Sequence, residues 1–257
     1  MDTFRDFALT PFVSRCIVAG REVIARLDSA DSALYAKHSL GAGGDVSIGA
    51  DLEAQKIFVR HLLPIAHIDS EESGFIPSSQ GISDIILLDP LDGSDNFLSH
   101  IPYYGASVAL CDAHRICKEA VVIDFCAQRL IARSGDTILE YSLRDSSPRA
   151  IKPYVATHSH TPKCGIFEKA YSNPHIAARL FANGLKFRSL GASALSFSLA
   201  HKVSFMLFVG SIREYDSKAG LYLCEGLYIN QSRDFVLISK DKQIFATIMQ
   251  LLTQGKD

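Results

Sequence analysis

Between Thr10 and Leu27 the apolar residues Phe12, Val13, Cys16, Ile17, Ala19 and Val23 recur at helical spacing, which predicts an amphipathic helix packed on the body of the protein. Thr10-Pro11 suits its start, since a hydroxyl can cap the first amides and proline has no N–H to leave unpaired. A second helix is expected over Asp51 to Leu63, with Leu52, Phe58, Val59 and Leu62 on one side, Glu53, Lys56 and Arg60 on the other, and Pro64 ending it. Between them, the glycines of the stretch Ser39 to Gly44 favour a mobile loop able to close over a site.

The run Ile85-Ile86-Leu87-Leu88 is short and wholly apolar, which suits a central strand that stops at Asp89-Pro90. Gly105 to Cys111 and Ala120 to Asp124 read as paired strands, so the first part of the chain looks like helices over an antiparallel sheet. A polar segment, Ser142 to Arg149, then marks a soft boundary, giving an N-terminal α+β lobe over 1–145 and a C-terminal α/β lobe over 146–257. In the second lobe helices are expected over Pro174 to Asn183, Ala192 to His201, Ser217 to Glu225 and Lys242 to Leu252, with a strand over Val203 to Val209. No internal repeat or low-complexity segment is present.

Composition narrows the class. With 257 residues, 47% hydrophobic and 21% charged, the chain can bury a sizeable core. Its 26 Lys plus Arg against 28 Asp plus Glu give a net charge of -2, so no positive field argues for nucleic acid or an anionic membrane. The stretch Leu195 to Ile212 holds His201 and Lys202 near its middle and reads as a helix followed by a buried strand, not a bilayer span. Six scattered cysteines form no metal or redox spacing and read as buried thiols in a reducing compartment. The first residues show no secretion signal, so a cytoplasmic location is expected.

Four acidic features carry candidate chemistry: Asp51 at a helix start, Glu71-Glu72 before Ser73, the cluster Asp89-Pro90-Leu91-Asp92-Gly93-Ser94, and Asp216 before a helical run. Each alone is ordinary, because Asp caps helices and Asp-Pro and Asp-Gly are common turns. The central cluster follows a strand directly, where Asp89, Asp92 and the Leu91 carbonyl can face one hard cation, or else form a plain capped turn. Gly93 and Ser94 could present free amides to a phosphate.

Five segments, in order, resemble the inositol monophosphatase superfamily: Asp45 to Asp51, Asp69-Ser70-Glu71-Glu72-Ser73, Asp89 to Phe97, Arg188 to Ala194, and Glu214 to Gly220. The resemblance implies an α/β architecture of the layered α/β/α/β/α type, Mg²⁺ dependence and, commonly, inhibition by lithium. Carried over by position, Glu71, Asp89 and the Leu91 carbonyl would hold one Mg²⁺, and Asp89, Asp92 and Asp216 a second. Asp51 and Ser94 would activate the attacking water, with Glu71 and Glu72 orienting it. Substrate contacts would come from Asp92, Gly93, Ser94, Gly191, Ala192, Ser193 and Asp216. The implied activity is hydrolysis of a small phosphorylated metabolite, a phosphate monoester; a homodimer is expected, and the charge balance leaves neither nucleic acid nor membrane as a partner.

The chain departs from the family pattern in places. Tyr215 replaces the usual Trp, Ala50 the usual Thr, Glu225-Gly226-Leu227 a more glycine-rich turn, and Val209 the acidic residue that contacts inositol hydroxyls. Inositol monophosphate, fructose 1,6-bisphosphate and 3'-phosphoadenosine 5'-phosphate thus remain rival substrates, beside a regulatory binding protein that keeps the fold. Other candidates have structural alternatives: His158 and His160 a metal pair or a surface loop, Lys186 and Arg188 an anion site or a solvated face, Tyr103 and Tyr104 a pocket rim or packing, Lys37 and His38 residues brought in by loop closure.

Overall fold

The computed structural model describes residues 9–79, 81–144, 152–153 and 162–253. The 145/146 boundary and the pair His158 and His160 lie outside the described residues. Seven α-helices are described: α1 (Pro11–Leu27), α2 (Gly49–Leu62), α3 (Ser94–Leu98), α4 (Pro174–Ala182), α5 (Ser193–Ser198), α6 (Glu214–Leu223) and α7 (Lys242–Thr253). Among the described residues the strands form an eight-stranded sheet, a five-stranded sheet and a two-stranded hairpin.

The Ile85–Asp92 strand shows why its run is apolar throughout. Ile86 and Leu88 point into the core beneath α1 and α2, while Leu87 points into a second core with Ala192 and Leu195 at α5 and Ala219 and Leu223 of α6. Alternate residues of a strand face opposite ways, so a strand covered on both sides has no polar face. The outer faces of α5 and α6 contribute Phe197 and neighbouring Cys224 to a third core against Ile166, Met206, Phe208, Val236 and Ile238 of the smaller sheet. The far side of that sheet packs Phe167, Leu207 and Leu237 against α4 and α7. The result is the expected α/β/α/β/α layering, with α5 and α6 shared by both sheets.

Most expected elements appear near their predicted limits. Thr10 Oγ1 accepts from the Val13 amide at 3.2 Å, with Pro11 opening α1, and α2 ends just before Pro64. The stretch Ser39 to Gly44, expected as a loop, holds the end of the strand Lys37–Leu40 and most of the turn that joins it to Val46–Ile48, the two strands pairing antiparallel as a hairpin. Its turn is held down by Ala42 N and Gly43 N, which donate to the Glu72 and Glu71 carbonyls at 3.1 and 2.6 Å. The Ile85–Asp92 strand runs through Asp89-Pro90, because the register to Gly105–Cys111 slips between Asp89 and Asp92 and Pro90 sits where no amide is required. Helix α5 is shorter than expected and α6 begins at Glu214, with two acidic residues in its first turn, where the helix dipole favours them.

Phe197 has no exposed surface, and Gly220 of α6 lets it approach, since a Cβ there would lie 2.4 Å from the Phe197 Cβ. Phe197→Ala is expected to destabilise the protein by about 3 to 5 kcal/mol through the cavity it leaves. Urea unfolding measures this, and a loss well under about 1 kcal/mol would mean that the middle layer is not packed as described.

Candidate functional site

Parallel pairing of His67–Ser70 with Ile85–Asp92 places Ser70 beside Leu88, and the Glu71 amide donates to the Leu88 carbonyl at 2.9 Å. Glu71 is therefore delivered next to Asp89 at the ends of two parallel strands. The first turn of α6 adds Asp216, and one oxygen from each of Glu71, Asp89 and Asp216 lies within 4.8 Å of the others. All three side chains are buried. Burial, with repulsion from Asp216, pushes the Glu71 carboxyl up to about 8 despite the pull of Arg213. Burial also raises Asp89 and Asp92 well above the ordinary carboxylate range, with their acidic neighbours adding to it.

Buried like charges are stable only when protonated or paired with a cation. The donor set is all oxygen, from carboxylates with the Leu91 carbonyl adjoining, which suits a hard divalent ion such as Mg²⁺. One side chain already enters the cluster. Arg213 places Nη1 2.6 Å from Glu71 Oε1, and Nε and Nη2 3.0 and 3.3 Å from the two oxygens of Asp216. The same Nη1 lies 2.7 Å from Asp45 Oδ2.

A second group stands beside this cluster. Asp51, in the first turn of α2, accepts from the Ile48 amide at 2.7 Å through one oxygen and from Ser94 Oγ at 2.7 Å through the other. Ser94 Oγ also lies 3.0 Å from the Leu91 carbonyl, so its single proton has two possible acceptors. Burial drives the Asp51 carboxyl up to about 7, against the lowering effect of those two hydrogen bonds. Gly93, which precedes Ser94, has φ +90°, and a Cβ there would come within 3.0 Å of both Ala192 Cβ and the Tyr103 carbonyl. Only glycine fits this corner. Glu72 accepts from Ser47 Oγ, which orients it toward the same space.

Asp92 faces α5. Its two oxygens accept from the amides of Ser193, Ala194 and Leu195 at 3.1, 2.7 and 3.4 Å, fixing the carboxylate at a helix start. It is consequently not one of the three residues whose oxygens converge, although it lines the same cavity of about 490 Å³. Asp51, Glu71, Glu72, Asp89, Leu91, Gly93, Ser94, Gly191, Ser193 and Asp216 line it too, while Ala192 is buried behind the wall.

Residues 32–227 match the sequence profile of the Inositol monophosphatase family. The chain belongs to that family. Among individual relatives, Nus factor SuhB of Salmonella typhimurium (strain LT2) is 27% identical over 222 residues, covering 82% of this chain and 80% of that protein. Nus factor SuhB of Escherichia coli (strain K12) is 29% identical over 168 residues, 63% of this chain and 61% of the relative. Among solved structures, the extragenic suppressor protein suhB of Bartonella henselae superposes with a TM-score of 0.74 at 19% identity, covering 95% of this chain and 98% of its own. Fructose-1,6-bisphosphatase of Leishmania major gives a TM-score of 0.76 at 15% identity, covering 95% and 94%. At these identities the structural likeness speaks for the fold alone.

In this inositol monophosphatase family member, sequence reasoning missed several residues at the site. Arg213 had a signal, a basic residue one helical turn before Asp216. Glu168 had a fainter one, a carboxylate in an apolar strand. It is buried and accepts from the amides of Leu190 and Gly191 at 3.3 and 2.9 Å and from Ser196 Oγ, bracing the wall that carries Gly191. Asn96 ties α3 to that wall by donating to the carbonyls of Tyr103 and Leu190 at 2.7 and 2.8 Å. Tyr215, in place of Trp, donates to Asp69 Oδ1 at 2.9 Å, and Arg115 pairs with the same carboxylate.

The other candidates mostly take their structural roles. Tyr104 packs edge-on against Phe97, and Tyr103 bonds Ser196 Oγ at 3.1 Å. Lys37 reaches the cavity, His38 is exposed and does not line it, and Lys186 lies on a separate depression with Lys163. Arg188 is exposed, and the six cysteines are free thiols. No helix among the described residues is long and apolar enough to cross a membrane.

The carboxyl values set a pH dependence. Asp51 and Glu71 rise from ordinary values of 3.8 and 4.5 to about 7 and about 8 on folding. Between these limits each of the two groups holds more proton in the folded chain than in the unfolded one, so the stability they contribute is full at low pH and falls as pH rises. The slope should reach about 1.4 kcal/mol per pH unit for each group. Urea unfolding in chelator is expected to show this decline and excess Mg²⁺ to flatten it, whereas equal stability across the range in chelator would contradict the assignment.

Proposed function

We propose that this chain is a divalent-cation-dependent phosphatase acting on a small phosphate monoester. The observation that carries the reading is the convergence of Glu71, Asp89 and Asp216 beside the Asp51–Ser94 pair in one cavity. Glu71, Asp89 and Asp216 would hold Mg²⁺, with the Leu91 carbonyl and Asp92 as further ligands, and the ion would supply charge neutralisation for the phosphoryl oxygens and acidify the attacking water.

The chain's own residues account for positioning and proton movement. With its hydrogen directed to Asp51, the Ser94 hydroxyl keeps lone pairs free to accept from water. As the water oxygen bonds to phosphorus, its proton passes to Ser94 and the Ser94 proton to Asp51. Burial raises the Asp51 carboxyl, which makes it a stronger proton acceptor than an exposed aspartate. The ester P–O bond breaks on the opposite side, and the alcohol leaves with a proton from solvent. Glu72, held by Ser47, would orient the water, while the amides of Gly93 and Ser94 and the wall at Gly191 to Ser193 would receive the phosphate.

The substrate is less sharply marked. Lys37, Lys169 and Arg213 line the cavity and favour an anion. Val209 packs in the outer core and does not line the cavity, which argues against inositol recognition through that position. Fructose 1,6-bisphosphate and 3'-phosphoadenosine 5'-phosphate remain candidates beside inositol monophosphate. A second reading rests on the relatives named Nus factor SuhB, and makes the chain a component of a transcription assembly. A partner captured in stoichiometric amount by both wild type and Asp216→Asn would favour it.

With Mg²⁺ in excess, wild type is expected to release phosphate from at least one of the three substrates, and Asp216→Asn from none. Asp51→Asn should lower kcat by about 10²- to 10⁴-fold, the usual contribution of a general base. Ser94→Ala should lower kcat more than it raises KM. Wild type inert toward the whole panel, or Asp216→Asn fully active, would sink the phosphatase reading.

A further inference from the structure

The guanidinium of Arg213 sits where a cation would have to be balanced. It pairs with two of the three converging carboxylates, at 2.6 Å from Glu71 and through a two-pronged contact of 3.0 and 3.3 Å with Asp216. A divalent ion bound by Glu71, Asp89 and Asp216 would meet this fixed positive charge a few ångströms away in a buried setting, where like charges repel strongly. The guanidinium would also compete for the same carboxylate oxygens.

Arg213 has somewhere else to go. Its side chain is 36% exposed, and its Nη1 already touches the outward-facing Asp45 at 2.7 Å and the Gly43 carbonyl at 3.5 Å. Asp45 is 80% exposed and takes no part in the converging set. Rotation of a long, flexible side chain toward the 41–45 turn would clear Glu71 and Asp216 while keeping the guanidinium paired at the cavity rim.

We propose that Arg213 is a built-in competitor for the divalent cation: it neutralises Glu71 and Asp216 until a metal ion displaces it toward Asp45, and so sets the cation concentration at which the site fills. This rests on the reading of Glu71 and Asp216 as metal ligands. It makes two predictions of opposite sign for one substitution. Removing the charge should strengthen cation binding, and it should weaken the protein when no cation is present, because the carboxylates lose their partner.

The test uses the full-length chain without substrate. Mn²⁺ binding is followed by the loss of the free-ion electron paramagnetic resonance signal, Mg²⁺ binding by calorimetry, and Tm with and without chelator. Arg213→Gln is expected to lower the Kd by about tenfold or more, to lower Tm in chelator, and to show a larger Mg²⁺-induced rise in Tm than wild type. Arg213→Lys, which keeps the charge and loses the fork, should fall between. If Arg213→Gln is unfolded in chelator, Mg²⁺ should restore its fold, and failure to do so overturns the proposal. A wild type that binds Mn²⁺ with a variant that binds no more tightly overturns the role of Arg213 alone. If neither protein binds either ion, the metal assignment itself falls and this proposal with it.

Discussion

Crowding of carboxylates at the ends of two parallel strands is the constraint on which the rest of this protein turns. Strand pairing puts Glu71 against Asp89, and the start of α6 brings Asp216 onto the same spot. A fold that buries acids together must either keep them protonated or balance them. The surroundings of the cluster read as means of balancing it: a guanidinium from Arg213, helix amides for Asp92, and hydrogen bonds from Ile48 and Ser94 for Asp51. The buried carboxyls remain elevated in spite of these partners, chiefly because burial disfavours their charged form.

How much of this could be read in the sequence depended on how local the information was. Asp89 to Ser94 were legible because one strand end and one turn hold them, and α1, α2, α4 and α7 because one face of each is apolar. The convergence of Asp216 with Glu71 was visible only through the family resemblance, since no periodicity links positions so far apart. Ser39 and Leu40, which the glycines assign to the loop, belong to the strand Lys37–Leu40, whose four residues are all exposed and so leave no alternation to detect. Glu168 acts through partners brought close only by the tertiary fold, and Arg213, although three residues from Asp216, meets Glu71 and Asp45 only there. Helix α5 was overextended because Leu199 and Ala200 continue the apolar pattern, packing into the same core after the helix has ended.

Family membership and the site's geometry bear on different questions. The profile match over residues 32–227 fixes ancestry, and the solved structures fix the layering. Chemistry has to be argued from the side chains, because relatives of this fold carry names as different as fructose-1,6-bisphosphatase and Nus factor. The residues proposed to serve hydrolysis gather around one cavity. Tyr215 and Val209 depart from the family pattern away from the cavity lining, while Arg213 reaches into the acidic cluster itself.

The sharing of α5 and α6 between two sheets has a consequence for how the chain is made. As it leaves the ribosome, the large sheet can gather α1 and α2 over one face soon after its strands appear. Its other face, carrying Leu87, Ala109 and Val122, stays bare until α5 and α6 emerge much later. A nascent chain in that interval presents a broad greasy surface and an incomplete acidic cavity, the state in which chaperone capture or aggregation competes most strongly with folding.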